Sequence, residues 1–296
     1  MPYPQPGIFA QGTRSHYHLE FDLRADASSA EIADAVGALR EPAVTAGGLN
    51  LVIGFGPDLW RRIAPADAPE ALAPFPGIEG PDRRVPATPH DLWVWLHGPG
   101  PDVMLDGARA VVAAVGRCAS LAAEATCFVY RDSRDLTGFV DGTENPPVEE
   151  APEVAIVPGG PGEGGSFVIT MKWIHNVEAF HTLQIHDQEQ VIGRTKPDSV
   201  ELDDKPPTAH ISRVVMEDDR GEEIEIYRRS VPYGTVTEHG LYFVAFSADP
   251  TRYDRILARM FGNADDQHDH LTDFTNPVSC AYYFAPSLDA IAALGD

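Results

Sequence analysis

Residues 16–23 read HYHLEFDL. Tyr17, Leu19, Phe21 and Leu23 recur at every second position, so the segment is expected to be a half-buried strand with those four on its inner face. Working outward, Ser28-Ser29 opens a stretch in which Ile32, Ala33, Val36 and Leu39 follow helical spacing, and Ser28 with Glu31 forms a capping-box pair. Leu49–Phe55 reads as a buried strand. Residues 56–90 are rich in proline and read as loop with one short helix. Leu92–His97 predicts a strand, Val103–Val115 a helix and Thr126–Tyr130 a strand. The order from residue 16 is therefore β-α-β-β-α-β.

A break follows at 142–165, where Asn145-Pro146-Pro147, Pro152, Pro158 and the glycines of 159–165 predict a long connection. Beyond it, Ser166–Ile174 reads as a strand and Val177–Ile192 as a helix. Ile211–Met216, Glu223–Arg228 and Leu241–Phe246 read as strands, Pro250–Phe261 as a helix and Ala281–Phe284 as a strand. The same order recurs with one extra strand or loop. The expected fold is α+β: two ferredoxin-like β-α-β-β-α-β units with antiparallel sheets, in a dimeric α+β barrel-like arrangement. The units are expected at 1–145 and 146–296.

The chain has 296 residues, 43% of them apolar, which excludes a wholly disordered polymer. Its net charge of -23 argues against nucleic acid and anionic membrane surfaces as partners. No apolar run approaches the roughly 18 residues needed for a span, and the first residues lack the marks of a secretory signal, so a cytoplasmic location is expected. Cys118, Cys127 and Cys280 are odd in number and far apart. With no C-x-x-C, neither a disulfide framework, a cysteine-rich zinc site nor covalent haem attachment is supported. H-E-x-x-H and G-x-S-x-G are also absent, and GGPGEGG at 159–165 lacks the lysine of a phosphate loop.

The densest chemical signal is RDSRDLTGFVDGTENPP, 131–147. Gly138 and Gly142 flank Asp141 in a G-x-x-D-G spacing, which either presents the carboxylate to a ligand or makes a turn that the aspartate caps. In EIYRRSVPYG, 225–234, alternation with Ile224 and Ile226 turns Arg228 inward if the strand persists, where it needs an anion or ligand. If the strand stops at Tyr227, both arginines are solvated. Of the eleven histidines, His210 stands at the start of an expected strand and His175 follows one. His268 and His270 lie in the acidic run DDQHDHLTD. Nothing local separates His210 from His175.

GFVDGTENP at 138–146 resembles the signature loop of the dye-decolourising peroxidases, which are haem enzymes. MKWIHN (171–176), GRTKPDSVEL (193–202), AHISR (209–213), RRSVPYG (228–234) and FTNPVSCAYYFAPS (274–287) resemble further segments of that family in the same order. The resemblance covers nearly the whole chain and is closest to the shorter, bacterial cytoplasmic B-type branch. It implies a haem-dependent peroxidase that reduces hydrogen peroxide and oxidises organic electron donors, such as dyes and phenolics, through a ferryl intermediate. It implies haem b, one per chain, with His210 as the iron ligand. Asp141 and Arg228 would stand on the peroxide side with Ser230, where some members carry asparagine. Arg228 is expected to favour the ionised form of Asp141. Arg194 would meet a haem propionate and His175 the haem edge. Asp269 would hydrogen-bond the iron-ligating imidazole, with Asp273 as the competing choice. Relatives form dimers to hexamers, so a homo-oligomer is expected. Only LDAIAALGD, 288–296, follows APS, which leaves docking inside a protein nanocompartment doubtful. The alternative reading is a haem-binding or haem-handling protein, releasing iron or transferring haem, with incidental peroxidase activity.

Overall fold

The computed structural model describes residues 2–39, 48–81 and 83–295. The first half supplies β1 (Ser15–Leu23), α1 (Ser29–Leu39), β2 (Asn50–Phe55), α2 (Pro57–Ile63), a short hairpin of β3 (Ile78–Glu79) and β4 (Arg84–Val85), β5 (Leu92–Gly98), α3 (Pro101–Val115) and β6 (Ala119–Phe128). The second supplies α4 (Ala151–Ala155), β7 (Ser166–His175), α5 (Val177–Thr182), α6 (Ile185–Ile192), α7 (His210–Val214), β8 (Tyr227–Arg228), β9 (Val231–Gly234), β10 (His239–Ser247), α8 (Thr251–Met260), β11 (Thr275–Ala285) and α9 (Leu288–Ala292). The fold is α+β with antiparallel pairing throughout. The α1 capping box forms as the sequence predicts: Glu31 N–H donates to Ser28 Oγ at 3.2 Å, and Ser28 N–H to Glu31 Oε2 at 2.9 Å.

Strand order runs β7-β11-β2-β5-β1-β6-β9-β10, with β8 added to β10, and β10 pairs back onto β7. The sheet therefore closes on itself. Two of its joints are minimal: among the described residues, β11 and β2 share one ladder pair, Phe284 with Phe55, and β6 and β9 share one, Cys127 with Tyr233. Closure changes the reading of β1. It is buried on both faces, with Leu19 and Phe21 in the core beneath the helices and His16, His18 and Glu20 inside the closed sheet, each under 10% exposed. The neighbouring β5 divides in the same way, Leu92, Val94 and Leu96 outward to the helices and Trp93 and Trp95 inward. An alternation that predicts one solvated face cannot distinguish water from a polar barrel interior.

Three expectations are corrected. Residues 211–216 are not a strand: Ile211 and Val214 sit in the one-turn helix α7, whose Arg213 donates to Asp265 Oδ2 at 2.8 Å and to the Arg259 carbonyl at 2.7 Å. So short a run of β-branched residues fits either period. The helix expected over 177–192 breaks at Leu183 and Gln184, both extended. Side chains cover the exposed carbonyls, Thr182 Oγ1 donating to Ala179 O at 2.7 Å and Gln188 Nε2 to Leu183 O at 2.9 Å. The strand expected over 223–228 pairs regularly only at Tyr227–Arg228. The helix at the end of the second half behaves as read: Tyr253, Ile256, Leu257 and Met260 form its buried face, and Gly262 follows with a φ of 79°.

Candidate active site

The outer faces of β7 and β10 carry Ile169, Met171, Trp173, Leu241 and Phe243 against a cavity with about 1300 Å³ of atom-free space, part of it open to solvent. Val214 of α7 and Leu257 and Met260 of α8 complete an apolar wall. Into this wall the chain inserts polar groups from several elements, among them Asp135, Asp141, Glu144 and Thr137 from the G-x-x-D-G region, His175 from β7, His210 from α7, Glu223 and Glu225 from the stretch before β8, Arg228, and Thr275 from β11. Such an apolar space with convergent polar groups suits a flat, largely apolar ligand.

The loop that brings Asp141 here needs its glycines. Gly138 and Gly142 have φ of 91° and 79°, and a Cβ on Gly138 would stand 2.8 Å from Lys196 Cε. Arg134 ties the loop down, donating to the carbonyls of Gly138 at 2.9 Å and Lys196 at 2.8 Å. Asn145 ties it to β8: its Oδ1 accepts from Arg228 N–H at 2.8 Å and its Nδ2 donates to Arg228 O at 2.7 Å. The side chain of one motif thus sets the backbone of another, 83 residues away.

Burial pushes the Asp141 carboxyl up from its ordinary range, and the nearby Asp135 adds to this, while Arg228 opposes it. Arg228 favours the ionised form of Asp141, as expected, but desolvation outweighs its field. Burial also pushes Asp135 up, yet the hydrogen bond and charge of His175 and the donors of Thr137 overcome it and hold Asp135 at about 2. His175 Nε2 lies 3.0 Å from Asp135 Oδ1, and its Nδ1 lies 2.7 Å from Thr275 Oγ1.

His210 Nδ1 lies 2.6 Å from Oδ2 of Asp269, which is fully buried. The other carboxylate oxygen of Asp269 accepts from Leu271 N–H at 2.9 Å. Asp273 pairs instead with Arg83. Two sequence candidates stand off the cavity wall. Arg194 pairs with Glu144 and donates to Ser199 O at 2.6 Å, so it meets the cavity only through Glu144. Ser230 Oγ accepts from Val244 N–H at 3.2 Å and is spent on the sheet backbone. The stretch before β8, bridged to Glu217 at Glu223, places Glu223, Ile224, Glu225 and Ile226 all along the cavity, where alternation puts only the isoleucines with Arg228. Asp135, Glu144 and Asn145 were not singled out from the sequence. The signal for Asp135 was its position three residues before Gly138, where its Oδ2 caps Thr137 N–H at 2.7 Å.

Family models described as Dyp-type peroxidase, N-terminal, and Dyp-type peroxidase, C-terminal, match residues 5–129 and 132–290. The chain belongs to the Dyp-type peroxidase family. A dye-decolorizing peroxidase of Rhodococcus erythropolis is 38% identical over 254 residues, 83% of this chain and 74% of that protein. A DypB variant of Rhodococcus jostii RHA1 solved in complex with heme is 35% identical, covers 99% of both chains and superposes with a TM-score of 0.93. The encapsulated Dyp-type peroxidase of Mycobacterium smegmatis is 32% identical over 100% of this chain and 98% of its own, with a TM-score of 0.92. For a Dyp-type peroxidase the cavity is the expected place of chemistry, and relatives named for peroxidase activity do not favour the haem-handling alternative. Among the described residues, no helix is long and apolar enough to cross a membrane.

Proposed function

We propose that this chain is a haem-dependent peroxidase that binds one haem b through His210, reduces hydrogen peroxide and oxidises organic reductants such as dyes and phenolics. One observation carries the assignment of residues: His210, its Nδ1 already held by buried Asp269, shares an apolar cavity with Asp141 and Arg228. The donor set fits the group, since no described protein atom hydrogen-bonds His210 Nε2, and the wall around it is apolar. Bound haem would supply the iron at which the peroxide bond is cleaved.

The chain's own residues do the rest. Asp141 takes a proton from the near oxygen of peroxide and returns it to the departing oxygen. Arg228 places positive charge where negative charge grows. Asp269 fixes the His210 tautomer and ring orientation and leaves the Nε2 lone pair free to hold the iron. His175 and Asp135 are read as lining the haem edge. Arg194 is read as the propionate partner, exchanging a carboxylate it now holds. Ser230 is read as an auxiliary donor near Arg228.

The strand orders β6-β1-β5-β2 and β11-β7-β10-β9, each the same permutation of its half, support two ferredoxin-like units at 1–145 and 146–296, joined edge to edge in a barrel-like arrangement. A homo-oligomer in the cytoplasm is the matching reading, and three buried free cysteines accord with a reducing compartment. The test is the absorption spectrum of the haem-loaded protein before and after one equivalent of hydrogen peroxide. A histidine-ligated Soret band that shifts at once, and recovers on adding a phenolic donor, is expected. A band that peroxide merely bleaches would remove the peroxidase assignment. A normal histidine-ligated spectrum in His210→Ala would remove the ligand assignment.

A further inference from the structure

The run DDQHDHLTD at 265–273 does more than supply Asp269. Among the described residues, His268, His270 and Asp273 each bring one ligand-type atom within 4.8 Å of the other two. The cavity chemistry uses none of them. Asp269, between the histidines, is not available to the cluster, because both of its oxygens are committed to His210 and Leu271.

The backbone beneath the trio is fixed from several sides. Phe261 bridges His268, Asp269 N–H donates to Met260 O at 2.9 Å and His270 N–H to Thr208 O at 3.0 Å. A 3₁₀ turn over His270–Asp273, capped by Asp269, places Asp273 against the histidines. His270 Nδ1 lies 3.2 Å from Thr208 Oγ1, an arrangement that holds the ring and leaves Nε2 free. His268 Nε2 is shielded from solvent, has no hydrogen-bond partner, and lies 3.4 Å from Asp273 Oδ1. The two rings are 5.5 Å apart. Arg83 opposes the site, pairing with Asp273 and donating to Thr272 O at 3.3 Å.

We propose that His268, His270 and Asp273 bind one divalent transition-metal cation of the zinc class. Two imidazoles and a carboxylate form a borderline donor set, which favours Zn²⁺, Ni²⁺ or Cu²⁺ over Mg²⁺ or Ca²⁺. Bonds of about 2.0–2.1 Å place tetrahedral ligand atoms roughly 3.4 Å apart, so the widest separation contracts by at most about 1.4 Å from the 4.8 Å limit. Side-chain rotation achieves that, since the His268 and Asp273 side chains are 32% and 39% exposed. Three protein ligands leave a fourth position open to water or another ligand. Arg83 competes for Asp273 and limits affinity. The site stands apart from the haem assignment, and its test does not depend on peroxidase activity.

The experiment is calorimetric titration of the full-length, haem-loaded protein with ZnCl₂, repeated with MgCl₂ and with variants. One Zn²⁺ per chain is expected, with Mg²⁺ silent at the same concentrations. His268→Ala and His270→Ala should each weaken Zn²⁺ by about tenfold or more, with the Soret band retained as the check on folding. Arg83→Ala, which removes no ligand, should tighten it. Zn²⁺ affinity within about twofold of the parent in both histidine variants, weaker binding in Arg83→Ala, or equal binding of Mg²⁺ would overturn the site.

Discussion

Asn145 makes two hydrogen bonds to the backbone of Arg228 and none to the cavity, so it acts as a positioning residue. Asn145→Ala should leave haem loading unchanged but let Arg228 drift. A misplacement near 1 Å costs roughly 100-fold in rate, so stopped-flow formation of the peroxide-oxidised state should slow by about 10- to 100-fold. Rates within about twofold of the parent would show that the guanidinium is held by other means. Asp141 sets the pH response of the same step. Its carboxyl is raised by burial, so the base form gives way to the acid form at a higher pH than for an ordinary carboxylate. The rate constant should climb with pH through an inflection above the usual value near 4, then level off. In Asp141→Asn it should fall by roughly 10²–10⁴ and lose that inflection. An unchanged profile would assign the proton transfer elsewhere. Local patterns, glycines on both sides of an acid and an arginine after an apolar alternation, single out Asp141 and Arg228 but leave a capping turn and a solvated arginine open, and only the family resemblance implies their roles. Asp269 was separated from Asp273 only by the fold, which buries one against His210 and pairs the other with Arg83. Ser230 illustrates the converse, since chain proximity to Arg228 does not tell where a hydroxyl is spent.

At the scale of elements, β1 and β5 carry a row of histidines and tryptophans into the closed sheet. His18 stacks on Tyr242 at 4.0 Å between ring centres, with neither of its nitrogens hydrogen-bonded, and Tyr283 donates to Glu20 at 2.7 Å. His16 and His97 face the same interior near Arg229, which lies 5.1 Å above Trp95. Burial, aided by the Arg229 charge, lowers His16 to about 3 and His97 to about 2. Below about pH 6.5 the unfolded chain therefore takes up protons that the folded chain refuses, and stability falls as pH falls. Each of these histidines contributes a slope approaching about 1.4 kcal/mol per pH unit down to its folded value. Asp135, held at about 2, adds its own loss only below the ordinary aspartate value near 4. In denaturant unfolding between pH 6.5 and 5, His97→Gln should flatten the stability profile by about one histidine's worth. An identical slope would mean that His97 protonates without cost. The elements themselves were readable where apolar spacing ran for two turns or more, as in α3 and α8. They were misread where a run was short, as at α7, or where polar side chains took over from backbone bonds, as at Leu183–Gln184.

For the whole molecule, the question is what closes a barrel whose two halves share one residue pair at each joint. The N-terminal segment supplies the missing bonds. Gln5, 2% exposed, lies at the β2–β11 joint, where its Nε2 donates to Ile53 O at 2.8 Å and to Pro286 O at 3.0 Å while its Oε1 accepts from Ile53 N–H at 2.8 Å. One amide side chain thus replaces the ladder that the strands lack there. Next along the chain, Gly7 approaches so closely that a Cβ would stand 2.7 Å from Leu51 O, and its carbonyl accepts from His97 Nε2 at 2.9 Å. Ile8 is fully buried with the inward tryptophans. Phe9 stacks on Tyr227, and Arg229 donates to Ala10 O at 2.6 Å on the side of the second half. Residues 5–11 therefore plug the barrel and fasten it across the joint. Gln5→Ala would leave the Ile53 N–H and C=O buried without partners, a loss of about 2–3 kcal/mol, or roughly 5 °C in melting temperature. The loss should be the same with and without haem, because the joint lies away from the cavity residues. A melting temperature within about 1 °C of the parent would show that the strands at this joint hold without the glutamine. Deletion of residues 2–11 should cost more than Gln5→Ala, since it also removes the buried Ile8 from the tryptophan cluster and frees Arg229 inside the barrel.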